Sequence, residues 1–226
     1  MKIQYLGHAC VLIEFGSHKL LFDPFISVNE LAKHIEIDKI ETDFILLSHG
    51  HQDHILDVER IAGNTGAAII SNFEIVSYFQ KKGLNGHPMN HGGVWEFEFG
   101  KVKMVNAIHS SSFPDGSYAG NPSGFVIWND EQCFYFAGDT ALTWDMKLIP
   151  LLCPKLDCCI LPMGDNFTMG IEEASIASDF VECSTVIACH FDTFGYIILD
   201  KEEAQKVFEQ KNITLLIPSI GETLIV

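Results

Sequence analysis

The sequence is short of basic residues. It has 14 lysines and arginines against 30 aspartates and glutamates, which gives a formal net charge of −16. Contacts to the phosphates of a nucleic acid or of an anionic membrane normally use lysine or arginine. The deficit therefore argues against nucleic acid and membrane surfaces as partners, and it favours a small-molecule substrate.

Long apolar runs are missing as well. No stretch approaches the roughly 18 consecutive apolar residues of a membrane-spanning helix, and the N-terminus lacks the basic region and apolar segment of a secretory signal. We therefore expect a cytoplasmic protein, either monomeric or a homo-oligomer.

A disulfide framework is excluded by the cysteines. There are seven, an odd number, and none forms a C-x-x-C pair. Cys158 and Cys159 lie within an apolar run, which is typical of reduced cysteines in a core. With a hydrophobic content of 47%, the chain should fold without disulfide bonds.

The strongest chemical signal is a cluster of histidines. His49, His51, Asp53 and His54 lie within six residues of one another. Imidazole nitrogens and carboxylate oxygens suit zinc, manganese, iron or nickel. A turn that directs the first two side chains to one ion can direct the last two to a second. Capping of a helix that starts near Asp53 is the alternative, but this density of donors favours a two-metal site.

The cluster follows an apolar run, residues 44–47, that predicts a buried strand. Open α/β sheets bind ligands at the carboxyl ends of their strands. Three further residues also follow strand candidates: His109, Asp139 and His190. Each is ordinary by itself. Together with the cluster they make seven donors, enough for three per ion and one bridging carboxylate.

Two β-rich blocks, each followed by alternating helices and strands, indicate the architecture. The predicted strands are 11–15, 19–23, 44–47, 67–70, 94–99, 102–108, 124–128, 133–137, 156–161 and 185–189. The predicted helices are 55–62, 72–82, 141–151, 171–181 and 201–209, and the first two stop at Gly63 and Gly83. This order suits an α/β protein, a four-layer αββα sandwich. No low-complexity linker divides residues 1–226, so we expect one domain.

The order of these motifs resembles the metallo-β-lactamase fold superfamily, over almost the whole chain. The matching residues are Asp23, the His49-x-His51-x-Asp53-His54 motif, His109, Asp139 and His190. Other segments resemble a prokaryotic family of metal-dependent hydrolases similar to L-ascorbate 6-phosphate lactonase: residues 5–8, 23–25, 109–122, 138–140 and 166–170.

The resemblance implies two divalent ions per chain, with zinc expected and manganese, nickel or iron as alternatives. It assigns His49, His51 and His109 to one ion and Asp53, His54 and His190 to the other, with Asp139 as the bridge. Asp23 would orient a ligating imidazole by accepting its hydrogen bond, although it could also simply turn the chain before Pro24.

The chemistry expected of such a site is hydrolysis. Two ions about 3.5 to 4 Å apart can hold a bridging hydroxide, which would attack a small ester, lactone or phosphoester. Asp53 and Asp139 are the predicted catalytic carboxylates. His8 is either a substrate ligand or proton donor, or a hydrogen-bonded histidine at a strand end. A turn explains Ser110 to Ser112 better than a nucleophile does.

Several polar residues near the predicted donors are candidates for substrate contacts: Tyr118, Asn121, Asn166 and Thr168. The first two lie in a Gly/Pro/Ser-rich loop after His109 that could form a lid. Two departures from the family pattern concern specificity. Asp165 stands where a glycine is expected, and residues 191–195 read Phe-Asp-Thr-Phe-Gly instead of Tyr-Asn-Thr-Phe-Pro.

Other functions of the same fold fit less well. Di-iron redox proteins of the same fold have an H-x-E-x-D pattern at the first motif. This chain has His51 at the position of that glutamate. Phosphodiesterases and nucleases that process nucleic acid carry an added clamp, which this short acidic chain lacks. A non-catalytic binding protein would not need the complete donor set.

Overall fold

The computed structural model describes all 226 residues, and its strands form two sheets of seven strands each. The first sheet contains β1 (Lys2–Gly7), β2 (Cys10–Phe15), β3 (His18–Phe22), β4 (Phe44–Leu46), β5 (Ala68–Asn72), β6 (Gly86–Met89) and β14 (Thr223–Ile225). The second contains β7 (Val94–Phe97), β8 (Gly100–Asn106), β9 (Ser123–Trp128), β10 (Cys133–Phe136), β11 (Cys158–Pro162), β12 (Thr185–Cys189) and β13 (Thr214–Leu216).

The two sheets have the same plan. The first runs in the order β14-β1-β2-β3-β4-β5-β6 and the second in the order β13-β12-β11-β10-β9-β8-β7. In each, an antiparallel half joins a parallel half, at β3 in the first sheet and at β10 in the second. As a result β1, β3 and β4 end at one edge of their sheet, and β8, β10 and β12 end at one edge of theirs.

Aromatic side chains join the two sheets face to face. The ring centroids of Phe22 and Phe136 are 4.6 Å apart, and those of Phe15 and Phe134 are 5.4 Å apart. These residues alternate with outward-facing ones along their strands, as the two-residue period of a strand requires. Burial of such large side chains is the main source of the stability of the sandwich.

Helices cover the outer faces, which gives the predicted αββα layers. Ile61 and Phe79 pack with Leu21 and Ile45 on the first sheet, and other helices contact the second sheet. None of the helices has the length and apolarity needed to cross a membrane. The helices are α1 (Gln52–Ile55), α2 (Val58–Thr65), α3 (Phe73–Gln80), α4 (Ile149–Leu152), α5 (Ile171–Phe180) and α6 (Lys201–Gln210).

The predicted helix 55–62 is in fact divided between α1 and α2. The break lies at Asp57, whose carboxylate accepts hydrogen bonds from the backbone N–H groups of Ile26 and Ser27. The predicted stop at Gly63 is wrong, because α2 continues to Thr65. Gly66 ends it with a left-handed φ of 74°, the usual conformation of a glycine after a helix.

The helix predicted over 141–151 is also wrong in its first half. Thr143 caps a short 3₁₀ helix at Trp144–Leu148, and only the single turn of α4 is α-helical. Pro150 has no N–H to donate, which favours a helix start at this point. Four strands are absent from the predicted set: β1, β6, β13 and β14. The last three have three or four residues each, too few for a clear alternating pattern.

Candidate metal centre

The predicted donors all follow strands whose carboxyl ends meet on one side of the sandwich. This follows from the strand directions described above, and it explains why residues far apart in sequence become neighbours. The residues are His8 after β1, Asp23 after β3, residues 49–54 after β4, His109 after β8, Asp139 after β10 and His190 after β12.

His49, His51 and His109 form the first group of donors. Nε2 of His49 lies 2.9 Å from Nδ1 of His51. The His109 ring centroid is 5.1 Å from that of His49 and 5.2 Å from that of His51. One donor atom from each residue lies within 4.8 Å of the others, so a single cation between them could reach all three.

Asp53, His54 and His190 form the second group, together with His8. One donor atom from each of the four lies within 4.8 Å of the others. Asp53 and His54 project from the first turn of α1, directly after the residues of the first group. His190 arrives from the second sheet. The structure thus brings the predicted second set of donors together.

Asp139 lies between the two groups. Its Oδ2 atom is 3.0 Å from Nε2 of His190, 3.3 Å from Nε2 of His54 and 3.6 Å from Nε2 of His109. The side chain is 3% exposed. Contacts to both groups from one carboxylate are what a bridging ligand requires.

Hydrogen bonds behind the site fix which nitrogens can bind a cation. The Ser48 hydroxyl donates to Asp23, so Nδ1 of His49, 2.9 Å from the same hydroxyl oxygen, must be the donor to it. Nδ1 of His54 likewise donates to Asp23 at 2.8 Å. When these two rings are neutral, as metal ligation requires, each Nε2 has a free lone pair directed into the site.

The donor set fits divalent cations, as two buried atoms and the donor chemistry indicate. Nε2 of His54 and Oδ1 of Asp139 are buried and have no hydrogen-bond partner in the protein. Buried polar atoms rarely lack partners, and those that do call for an explanation such as an ion. Neutral imidazoles and carboxylates in this number suit zinc and similar divalent metals.

Burial and charge pairs dominate the electrostatics of the donor residues. Burial lowers the pKa of His8 to about 4, with a further contribution from His190. Burial opposes ionisation of Asp139 too, but His190 and His54 outweigh it and hold the pKa of Asp139 well below its usual range. Asp139 is therefore ionised and available as a ligand at neutral pH.

The backbone around the site is held in unusual conformations. His8 and His190 both have a φ of 55°, and Asp23 has a φ of 41°. Non-glycine residues adopt this left-handed region at a cost of about 1 to 3 kcal/mol, often at functional sites. The N–H of His190 donates to the carbonyl oxygen of His8 at 2.7 Å, which ties the two sheets together beneath the donors.

A cavity of about 730 Å³ opens beside the donors. Its size lies within the range of small-molecule sites, about 300 to 1,000 Å³. Twelve residues line it: Phe25, Val28, His51, Gln52, Asp53, His109, Ser110, Asp139, Phe167, His190, Phe194 and Tyr196.

The four residues predicted to contact substrate do not line this cavity. The Tyr118 hydroxyl donates to Oδ1 of Asn121 within the same exposed loop. Thr168 is buried, and its hydroxyl donates to the carbonyl of Met169. Asn166 is not among the lining residues, whereas Phe167, between the two, is.

His8 does not line the cavity either. It is completely buried behind Asp53, with Nε2 3.0 Å from the Asp53 carboxylate and Nδ1 3.0 Å from the Thr193 hydroxyl. Of the two roles open to His8, the geometry favours the hydrogen-bonded histidine at a strand end.

Sequence reasoning missed the aromatic wall of the cavity. Phe25, Phe167, Phe194 and Tyr196 lie in three loops that follow β3, β11 and β12. Two of these loops also carry a residue of the donor motifs, Asp23 after β3 and His190 after β12, but the loop after β11 carries none. The four aromatic residues come together only because strands of both sheets end on the same side of the sandwich.

Comparison with known proteins finds similar chains in one family of hydrolases. A family model described as the beta-lactamase superfamily domain matches residues 2–190. A UPF0173 metal-dependent hydrolase of Christiangramia forsetii is 58% identical over 225 residues, which covers 99% of each chain. Another, of Methylacidiphilum infernorum, is 48% identical over 226 residues and covers 100% of both.

A solved structure is similar over the same length. It is that of a metallo hydrolase from the hyperthermophilic archaeon Ignicoccus hospitalis, with a TM-score of 0.89 and 32% sequence identity. The match covers 99% of this chain and 97% of the archaeal one. Fold, donor geometry and sequence similarity thus agree.

Proposed function

Since the chain belongs to the UPF0173 family of metal-dependent hydrolases, within the beta-lactamase superfamily, we propose that it hydrolyses a small ester, lactone or phosphoester with two divalent metal ions. The observation that carries the dinuclear proposal is the position of Asp139. One carboxylate oxygen lies within 3.6 Å of a His109 nitrogen from the first donor group and 3.0 Å of a His190 nitrogen from the second.

In this proposal each ion has three protein donors besides the bridge. Nε2 of His49, Nδ1 of His51 and a nitrogen of His109 would hold one ion. Asp53, Nε2 of His54 and Nε2 of His190 would hold the other, and Asp139 would contact both. Nitrogen-rich donors of this kind favour zinc, with manganese, nickel or iron as alternatives.

Two divalent cations at this place would supply water activated near neutral pH and polarisation of the substrate oxygen. The protein residues have two further roles. Asp139 keeps the two groups of donors at a fixed separation and offsets part of the cationic charge. A substrate packed against the apolar wall would displace water from the donors, which would strengthen the electrostatic interactions inside.

His8 and Asp23 act through the donors rather than on the substrate. His8 donates to Asp53 and thereby holds its carboxylate in place. Asp23 accepts the Nδ1–H of His54 and so keeps the lone pair of Nε2 facing the site. Such supporting contacts usually set the orientation and basicity of the ligand.

Asp23→Asn is expected to weaken metal binding by roughly 10- to 100-fold, the usual cost of losing such a contact. An amide nitrogen opposite Nδ1 of His54 would donate to it and drive the ring proton onto Nε2. Competition with a chelator of known affinity measures the change. Asp38→Asn is the control, because Asp38 lies at the surface in an ion pair with Arg60; equal metal affinity in both variants would contradict this role for Asp23.

Neither alternative function gains support from the site. A nucleic-acid-processing enzyme would be expected to place basic side chains near its substrate, but no lysine or arginine lines the cavity. A di-iron redox site of the type considered above would have a glutamate in place of His51. Hydrolysis of a small molecule is the function that the geometry supports best.

The test combines metal analysis with substrate profiling. Protein purified without chelator, or reconstituted with zinc, manganese or nickel, should bind two equivalents of metal by elemental analysis. The reconstituted protein should then hydrolyse at least one member of a panel of lactones, esters, thioesters and phosphodiesters. A reproducible single equivalent after reconstitution would refute the dinuclear assignment, and complete inactivity of the two-metal form on the panel would refute the proposed substrates.

A further inference from the structure

The cavity has no charge of its own apart from the metal donors. Five of its twelve lining residues are predicted donors: His51, Asp53, His109, Asp139 and His190. Of the other seven, five are apolar or aromatic, and Gln52 and Ser110 are neutral. A substrate that binds here meets cations only at the metal position.

The aromatic residues form two adjoining pairs. The ring centroids of Phe25 and Phe194 are 6.2 Å apart, and those of Phe167 and Tyr196 are 6.4 Å apart. Phe25 is anchored, with 5% of its surface exposed. Its ring and that of Phe194 both contact His8, behind the donors. The wall therefore extends from the donors outwards.

The outer part of this wall is not packed in the protein core. Phe167 is 50% exposed, Tyr196 is 78% exposed and Val28 is 58% exposed. Large apolar side chains in contact with water contribute little to stability, and their concentration at one cavity mouth indicates a binding surface. Three separate loops supply them, so no single amphipathic element explains the concentration.

A charged substrate group on this wall would be costly. A phosphate or carboxylate away from the metals would lose part of its hydration without a lysine or an arginine to replace it. The acidic chain, with a net charge of −16, adds repulsion at longer range. An apolar group would instead gain from burial.

We propose that the substrate is an uncharged ester or lactone that carries an aromatic or branched aliphatic group. The apolar group packs on the wall formed by Phe25, Phe167, Phe194 and Tyr196, and the carbonyl lies at the donors. The inference rests on the proposed hydrolase function. In the reaction, the oxygen of water bonds to the acyl carbon, the acyl C–O bond breaks, and a proton from the water passes to the leaving alcohol.

Esters with one leaving group and different acyl groups test the proposal. The 4-nitrophenyl esters of 3-phenylpropanoic acid, acetic acid and succinic acid present an apolar, a small and an anionic acyl group. The zinc-loaded enzyme should show kcat/KM at least tenfold higher for the phenylpropanoyl ester than for the succinyl ester. Equal values, or a preference for the succinyl ester, would overturn the proposal.

Variants connect this preference to the wall. Phe167→Ala and Phe194→Ala should each reduce the ratio of the phenylpropanoyl to the acetyl rate at least threefold. Tyr196→Arg, at an exposed position that tolerates a long side chain, should raise the relative rate for the succinyl ester. Trp144→Ala is the control: this exposed tryptophan stacks on Phe180 outside the cavity, and its loss should leave all ratios unchanged. Ratios that are the same in all four variants would show that the wall does not select the substrate.

Equilibrium binding separates failure of this inference from failure of the hydrolase function. If no member of the substrate panel is hydrolysed, the proposed function fails, but calorimetry can still compare binding of 3-phenylpropanoate and succinate to the zinc-loaded protein. The wall should make 3-phenylpropanoate bind at least tenfold more tightly, and Phe194→Ala should remove most of this difference. Equal affinities would refute the apolar subsite irrespective of activity.

Discussion

Asp139→Asn should abolish hydrolysis while the protein stays folded. The amide has nearly the same shape, but it removes the negative charge between the two donor groups and has only one oxygen. Its NH₂ group can also face the nitrogens of His54 and His190, which lie 3.3 and 3.0 Å from the present oxygen. Spacing of the ions and activation of water should both suffer. We expect kcat/KM to fall by about a thousandfold or more, about 4 kcal/mol in the barrier.

Serine variants provide the matched comparison, since a serine nucleophile is the competing mechanism. Ser110 lines the cavity, with its hydroxyl 3.4 Å from Nε2 of His51. Ser111 instead holds the loop: its hydroxyl accepts the N–H of Gly50 and donates to the Ala119 carbonyl. Ser110→Ala and Ser111→Ala should each retain activity within about tenfold, about 1.4 kcal/mol.

The mechanism would be overturned by the opposite pattern. In that case a serine variant would be inactive with both metals still bound, and Asp139→Asn would remain active. Circular dichroism and elemental analysis on each variant show whether loss of activity comes from unfolding, from metal loss or from the chemistry itself.

The donor residues could be predicted from sequence because each follows a strand that ends on the same side of the sandwich. The run before His49 is apolar, and β4 is buried at all three positions. Asp139 follows β10, which is buried throughout. Fully buried strands give strong apolar runs, and parallel strand directions then bring the polar residues after them to one edge.

Elements that depend on distant contacts could not be predicted. The break between α1 and α2 depends on Asp57, which binds backbone N–H groups of residues 26 and 27. Strand β14 pairs with β1 at the other end of the chain, and nothing in residues 223–225 alone indicates that partner. Local patterns do not contain this information.

The cavity wall was unpredictable for a related reason. Polar residues near the donors were obvious candidates for substrate contacts, yet Tyr118 and Asn121 satisfy each other. Phe167 and Phe194 lie in the segments 166–170 and 191–195, but nothing in the sequence assigns either ring to the cavity. Only the three-dimensional arrangement shows that they share one opening, so the substrate preference could be inferred from the structure and not from the motif.

Metal binding should also stabilise the fold, which distinguishes a built metal site from a cluster of polar residues. Without cations, Nε2 of His54 and Oδ1 of Asp139 are buried and lack hydrogen-bond partners. A cation that binds the native state alone, at 100 times its Kd, contributes about 2.7 kcal/mol. For a chain of this size, a shift of about 2 to 4 °C per kcal/mol corresponds to a rise of about 5 to 11 °C in Tm.

Thermal unfolding before and after chelation measures this effect, with metal loss verified by elemental analysis. His51→Ala should lose much of the response, because it removes a donor from the first group. His87→Ala is the matched control: His87 lies on β6 against Trp95, away from the donors, and should keep the full response. Since binding energy at a site shared by both sheets must appear as folding stability, an unchanged Tm after confirmed metal loss would mean that these seven residues do not hold the ions.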